Sequence, residues 1–249
     1  MKVATWNVNG VRAREGQVRE WLARERPDVV CLQELKAAAD QVPVGLDDEY
    51  WSCWHAATSY SGVGLLLRRD AFPETPAFGH PPFDFEHRIV TARVGDLLVA
   101  SVYVPNGGKD FAAKLRFLEA LEPWVTESRA VGLDVVLCGD LNVTRAEIDV
   151  HPKERKADAI GQRPEERERL ERLLARGLTD LGRALDPANE GLFTWWAPWR
   201  NHRPRNIGWR LDYVLASEPL ARRAVACPVQ AGVGTSDHAP VVATFEWPR

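Results

Sequence analysis

The sequence is sparing with sulfur and has no long apolar run. Its 249 residues hold four cysteines and one methionine. Cys31, Cys53, Cys138 and Cys227 include no pair at C-x-x-C spacing, which argues against a zinc or redox motif. Cys31 lies in VVCLQ and Cys138 in VVLCGD, so both read as small buried hydrophobes in a protein of a reducing cytosol. No window approaches the run of about 18 apolar residues that a membrane span requires. The opening MKVATWNVNG lacks the apolar core of a secretion signal, and a cytoplasmic, bacterial-type location is expected. There is no repeat, linker or low-complexity segment, so a single domain over residues 1–249 is expected. Strong charge of either sign is also missing. The net charge is −3, unlike that of most basic nucleic-acid-binding domains, yet a cluster of metal-binding carboxylates can lower the total without neutralising a basic face elsewhere.

What is present is a succession of short apolar, β-rich runs. They are KVATW (2–6), DVVCLQ (28–33), YWSCWHA (50–56), GVGLLLR (62–68), RIVTARV (88–94), LLVASVYV (97–104), LDVVLCG (133–139), RLDYVLA (210–216) and PVVATFEW (240–247). Alternating and continuous apolar stretches both occur, as in strands buried on one or both faces. Three helical patterns lie between them. In GQVREWLARERPD, Val18, Trp21 and Leu22 share a face and Pro27 ends it. In KDFAAKLRFLEALEPW, Phe111, Leu115, Leu118 and Leu121 make a stripe. In RPEERERLERLLARGL, Pro164 opens the helix, Leu170, Leu173 and Leu174 line it, and Gly177 closes it. The segment AFPETPAFGHPPFDF (71–85) reads as a loop. This mixture predicts an α/β fold.

Four polar clusters sit at the ends of apolar strands. Asn7 and Asn9 end KVATW, Glu34 ends DVVCLQ, Asp140 and Asn142 end LDVVLCG, and Asp237 and His238 precede PVVATF. Taken singly, each reads as a cap or a polar turn. Together they place three carboxylates where a rigid sheet could present them to one cleft. So many carboxylates cannot lie close together as free anions. Oxygen-rich donors suit a hard cation, Mg²⁺ or Mn²⁺, and sites of this kind act on phosphate esters. Asp212, inside the apolar RLDYV, needs a partner to offset its burial, and His238 is the natural one.

The motifs TWNVNGVRA (5–13), CLQE (31–34), VYVPNGG (102–108), GDLNV (139–143), NIGWRLDYVL (206–215) and SDHAPV (236–241) occur in the order and strand context of one family. The chain resembles the exonuclease III-type apurinic/apyrimidinic endonucleases from Lys2 to Phe245. That resemblance implies a four-layer α/β sandwich, with two mixed sheets face to face and helices outside. It implies that Glu34, Asp237 and Asn7 lie at a Mg²⁺ or Mn²⁺ site of one or two ions that Asp140, Asn142 and His238 also border. Asp140 is similar to the residue that orients the attacking water, and Asn142 to a donor to the phosphate. His238 is similar to a phosphate-side imidazole whose tautomer Asp212 fixes, and Tyr103 to a phosphate-side or leaving-group hydroxyl.

The segment TWWAPWRNHRPRNIGWRLD (194–212) interleaves tryptophans with arginines, a pattern suited to a phosphate backbone and an unstacked sugar. By resemblance, Trp195, Trp209 and Leu211 wall a pocket for a flipped abasic sugar, and Trp196, Arg210, Asn106 and Lys109 flank the DNA. Lys153, Arg155 and Lys156 form another candidate basic loop. His87 stands where some relatives have glycine, and its bulk is expected to shift the balance from abasic-site incision towards trimming of 3′ ends. The implied substrate is duplex DNA with an abasic site or a blocked 3′ end, cut by a monomer away from any membrane. The alternatives are an enzyme acting mainly as 3′-phosphatase and exonuclease, a phosphatase of lipids or inositol phosphates from the same superfamily, and a non-catalytic DNA-binding protein on the same fold.

Overall fold

The computed structural model describes residues 1–57 and 60–247. Its first half runs β1 (Lys2–Asn7), α1 (Glu15–Glu25), β2 (Val29–Gln33), β3 (Tyr50–His55), β4 (Val63–Arg68), β5 (Ala77–Gly79), β6 (Ile89–Val94), β7 (Leu97–Tyr103) and α2 (Phe111–Ala130). The second half runs β8 (Asp134–Asp140), α3 (Pro164–Leu174), β9 (Leu178–Asp180), α4 (Leu181–Leu185), β10 (Asp212–Ser217), α5 (Glu218–Ala221), β11 (Ala224–Ala226) and β12 (Val241–Phe245). Two six-stranded sheets result, in the orders β11-β12-β1-β2-β4-β3 and β5-β6-β7-β8-β10-β9. Each is mixed, with one parallel pair at its centre, β1–β2 in the first and β7–β8 in the second.

Period-two alternation explains why the strands stack as layers. Val3, Val29, Cys31 and Leu65 of one sheet meet Val99, Val136, Cys138 and Val214 of the other in a shared buried core. Their sequence neighbours Ala4, Trp6, Val30 and Leu32 point the opposite way and pack with Val18, Trp21 and Leu22 of α1. On the far face, Val135 and Leu137 pack with Phe117, Leu118 and Leu121 of α2 and Leu170 and Leu173 of α3. Helix, sheet, sheet and helix make the four expected layers.

The structure corrects details of the sequence reading. Residues 71–85 contain β5, and β9 and β11 were not foreseen; each is only three residues long, too short for a periodic signal. The α2 stripe buries Lys114, Phe117, Leu118, Leu121 and Val125, whereas Phe111 and Leu115 are half-buried. The helix also runs on past Pro123. The carbonyl four residues earlier belongs to exposed Glu119, where water can replace the missing backbone bond. Among the described residues, no helix is long and apolar enough to cross a membrane.

Candidate active site

The two parallel strand pairs end at the same edge of the sandwich, which brings the polar clusters together. Asn7 pairs with Gln33 at the end of β1 and β2, and Tyr103 with Asp140 at the end of β7 and β8. Asp212 enters β10 directly opposite Asp140. Gly139 permits the close approach of β7 and β8: its φ is +151°, and a Cβ there would lie 1.8 Å from the Val102 carbonyl oxygen.

Asn7 sits between two carboxylates. Its side-chain amide donates to Glu34 Oε1 and to Asp140 Oδ2, both at 2.9 Å. Its side-chain oxygen accepts the Asn9 N–H at 3.0 Å, which fixes the amide that orders the two acids. The Tyr103 hydroxyl also donates to Glu34 Oε1, at 2.9 Å. The Lys36 ammonium lies 2.6 Å from Glu34 Oε2. On the other side, Asn142 N–H donates to Asp140 Oδ1 at 2.9 Å, and its amide reaches the Val104 carbonyl at 2.9 Å. Asn106 donates to Asn142 Oδ1 at 3.2 Å. Glu34, Lys36, Asn9 and Asn142 all hold left-handed backbone, with φ between 46° and 52°. Such conformations cost asparagine little and glutamate or lysine about 1 kcal/mol or more, strain that a functional site can retain.

His238 links the acids. Its Nδ1 lies 2.8 Å from Asp212 Oδ2, and its Nε2 lies 3.7 Å from Asp140 Oδ2. All three residues are buried. The buried Asp212 thus has the partner that its place in an apolar strand demands. Burial alone would lower the His238 pKa, but Asp212 and Asp140 outweigh it and raise it from 6.5 to about 10, so both ring nitrogens carry protons at neutral pH. Burial and the negative charges of Asp212 and Glu34 push Asp140 up to about 7, against the opposing pull of His238 and Asn7. Burial and the negative charges of Glu34 and Asp140 push the Tyr103 hydroxyl far above its ordinary value, so it remains a donor. Burial would raise Glu34, yet the hydrogen bonds from Asn7 and Lys36 hold it below its ordinary value.

Asp237 stands apart from this group, since consecutive residues point in different directions. Its Oδ1 accepts from Asn9 at 2.7 Å and its Oδ2 from the Trp195 indole at 3.0 Å. Burial raises its pKa, but nearby His238 and these two donors bring it below its ordinary value. The ligand atoms of Glu34, Asp140 and His238 do lie within 4.8 Å of one another. With His238 protonated, the two carboxylates are the donors of this group, and oxygen donors fit a hard divalent cation.

A cleft of about 900 Å³ opens beside Glu34 and Tyr103 and is lined by Lys36, Arg88, Asn106 and Lys109. Lys109 is exposed, its ammonium 5.2 Å from the centre of the Tyr60 ring. Arg88, which the sequence reading passed over, is buried with its guanidinium 4.9 Å from the centre of the Tyr103 ring. Lys36 was also missed; its place two residues after Glu34 was the available signal. On the opposite flank, Trp195 and Trp209 are half-buried and meet edge to face at 5.5 Å, while Trp199 is 74 % exposed. Backbone bonds from Trp196 N–H to the Asp237 carbonyl and from Ala239 N–H to the Thr194 carbonyl fasten this aromatic wall to the His238 strand end.

Three expected DNA contacts and one tuning residue lie elsewhere. Arg210 is buried, bonded by its guanidinium to Asp149 at 2.8 and 3.1 Å and to both oxygens of Asp180 at 2.8 Å. It holds α4 and β10 together and has no face for a phosphate. Trp196 is 2 % exposed, its indole N–H bonded to Asn206 and its ring covered by Arg203, and Leu211 is likewise buried. The aromatic-and-arginine pattern could not distinguish a cation stacked inside the protein from one awaiting DNA. His87 does not line the cleft; its ring lies 4.8 Å from that of His55. Its φ of +57° explains why glycine also suits this position.

This arrangement is that of a metal-assisted phosphoesterase, and the comparisons agree. The Endonuclease/Exonuclease/phosphatase family matches residues 4–238, and the chain belongs to it. An exodeoxyribonuclease from Bacillus subtilis (strain 168) is 36% identical over 252 residues, covering 97% of this chain and 98% of that relative. The DNA repair nuclease APEX1 of Danio rerio is 35% identical over 257 residues, covering 97% of this chain and 81% of that one. Among solved structures, an AP endonuclease from Archaeoglobus fulgidus superimposes with a TM-score of 0.90 at 28% identity, covering 99% of this chain and all of that one. The 3′ phosphatase NExo from Neisseria, bound to a product DNA hairpin, also gives 0.90, at 31% identity and with 99% of this chain covered.

Proposed function

We propose that the protein is a divalent-metal-dependent DNA repair nuclease that hydrolyses the phosphodiester 5′ to abasic sites in duplex DNA and also trims blocked 3′ ends. One observation supports this most. Glu34, Asp140 and the Asp212–His238 pair converge on one sheet edge, between a cleft that Lys36, Arg88 and Lys109 help to line and an aromatic wall. The names and titles of the relatives add the substrate class, DNA.

Hydrolysing a phosphodiester requires neutralising its non-bridging oxygens, orienting water and assisting the departing oxygen. Glu34 and Asp140 would hold a Mg²⁺ or Mn²⁺ ion, with Asn7 fixing their orientation and Asp237 bordering the site. The ion would supply charge neutralisation at the phosphate. Protonated His238 donates from Nε2 to a non-bridging oxygen, with Asp212 holding the ring. Asn142, primed by Asn106, donates to the same phosphate. Asp140, held by Asn7 and the Asn142 N–H, orients the attacking water and accepts its proton. Tyr103 would turn its hydroxyl from Glu34 to a phosphate-side or leaving-group oxygen, and Lys36 offsets the charge of Glu34. Trp195, Trp209 and exposed Trp199 receive the unstacked sugar, and Lys109 meets the backbone.

The test uses purified protein with Mg²⁺ and two labelled duplexes, one with an internal abasic analogue and one nicked with a 3′-phosphate. EDTA-sensitive processing of both is expected. Processing of the 3′-phosphate alone would reduce the protein to a 3′-end enzyme, and inertness towards both would refute the proposal.

A further inference from the structure

We propose a second, separate metal site, formed by His55, His80 and Asp84 and selective for a borderline divalent cation such as Zn²⁺. The ligand atoms of these three side chains lie within 4.8 Å of one another. His55 Nε2 is 2.6 Å from Asp84 Oδ2. The imidazoles of His55 and His80 stack with centroids 4.7 Å apart, and that of His87 covers His55 from 4.8 Å.

The surroundings are built to hold these groups still. Asp84 Oδ1 accepts the backbone N–H groups of Arg88 and Ile89 at 2.9 and 3.1 Å, which leaves Oδ2 facing the histidines. The backbone N–H of Asp84 in turn bonds to the Pro81 carbonyl, and Pro81 and Pro82 stiffen the link to His80. Phe83 and Phe85, on either side of Asp84, both pack edge-on against Phe117 of α2 at 5.7 Å. His55 projects from the end of β3, a regular strand. His80 is exposed, and its stacking on His55 keeps a ring nitrogen within reach of the shared centre.

Two imidazoles and one carboxylate, with the fourth position left to water, form a donor set that suits zinc and related ions. Magnesium prefers oxygen donors and retains its water. The two sites therefore differ in chemistry as well as in place. A cation here would tie β3 to the loop between β5 and β6. That loop also supplies Glu86 and Arg88 to the cleft wall, and the Glu86 carbonyl accepts the Ser61 hydroxyl. The ion would clamp the side of the cleft without entering it.

The experiment is a Zn²⁺ titration against a chromophoric chelator, with millimolar Mg²⁺ present to occupy the carboxylate site, followed by thermal melts with and without Zn²⁺. Wild type is expected to bind one equivalent and to gain roughly 5 °C in melting temperature. His80→Ala, at an exposed position that should not impair folding, is expected to weaken binding roughly 100-fold and to lose the thermal gain, as is Asp84→Asn, which keeps the shape of the side chain. His80→Ala should retain nuclease activity in Mg²⁺ alone. Binding that survives His80→Ala, or that is lost equally in the remote His151→Ala, would overturn the proposal.

Discussion

Replacing Asp212 with asparagine preserves its shape and removes its charge. His238 is held protonated against its burial by Asp212 first and Asp140 second, and the rise from 6.5 to about 10 is worth about 5 kcal/mol. If the ion pair at 2.8 Å supplies about half of that, the substitution removes roughly 2–3 kcal/mol of preference for the imidazolium. The His238 pKa then falls from its raised value towards the ordinary imidazole range. The asparagine can also hold the ring in the wrong tautomer, so the loss at the chemical step should be about 100-fold. The sign for stability follows from the direction of the shift. A histidine raised by folding contributes fully below its ordinary pKa of 6.5, and the contribution is lost as pH rises through about 10. In Asp212→Asn the contribution is smaller and is lost at lower pH. The assay is single-turnover incision of an abasic duplex at saturating Mg²⁺ across pH, paired with an NMR titration of the His238 ring in the metal-free protein. Activity within threefold of wild type, with an unmoved ring titration, would refute the reasoning.

Two further substitutions separate DNA contacts from internal supports. Arg210→Ala leaves buried Asp149 with Arg183 at 2.6 Å and buried Asp180 with Arg145 at 3.6 Å as their remaining cations, so it should cost about 3 kcal/mol and lower the melting temperature by roughly 10 °C. An unchanged melt with weakened DNA binding would return Arg210 to the interface. Trp209→Ala opens the aromatic wall and should weaken affinity for an abasic duplex roughly tenfold or more, with little change for undamaged duplex. Equal losses on both duplexes would mean that Trp209 supports the loop and does not receive the lesion.

Much of the architecture could be read directly from the chain, for reasons that particular residues illustrate. Val3, Ala4, Thr5 and Trp6 alternate between the shared core and the α1 face, so the strand and its two-sided burial are both visible in KVATW. Strands such as β5, β9 and β11 offer three residues, less than two full alternations. Lys114 breaks the α2 stripe because its buried ammonium pairs with Glu166 and donates to the Asn142 carbonyl at 2.7 Å, contacts made only by the tertiary fold. At the site, the pairing of Asp212 with His238 followed from the cost of burying a lone carboxylate in a strand. The fates of Arg210 and Trp196 did not follow, because an arginine among tryptophans looks the same whether its partners are buried acids or phosphates. His87 was judged by what it would place near DNA, whereas its ring lies against that of His55, 32 residues earlier in the chain.

The central claim is that Glu34 and Asp140 together hold the ion that makes the site a nuclease. The most direct measurement is the Mg²⁺ dependence of abasic-duplex incision by Glu34→Gln beside wild type, with melting temperatures matched to exclude misfolding. The account predicts a Mg²⁺ requirement raised at least roughly tenfold, a maximal rate lowered roughly 100-fold or more, and intact duplex binding. A wild-type Mg²⁺ dependence with an unaltered maximal rate would contradict it.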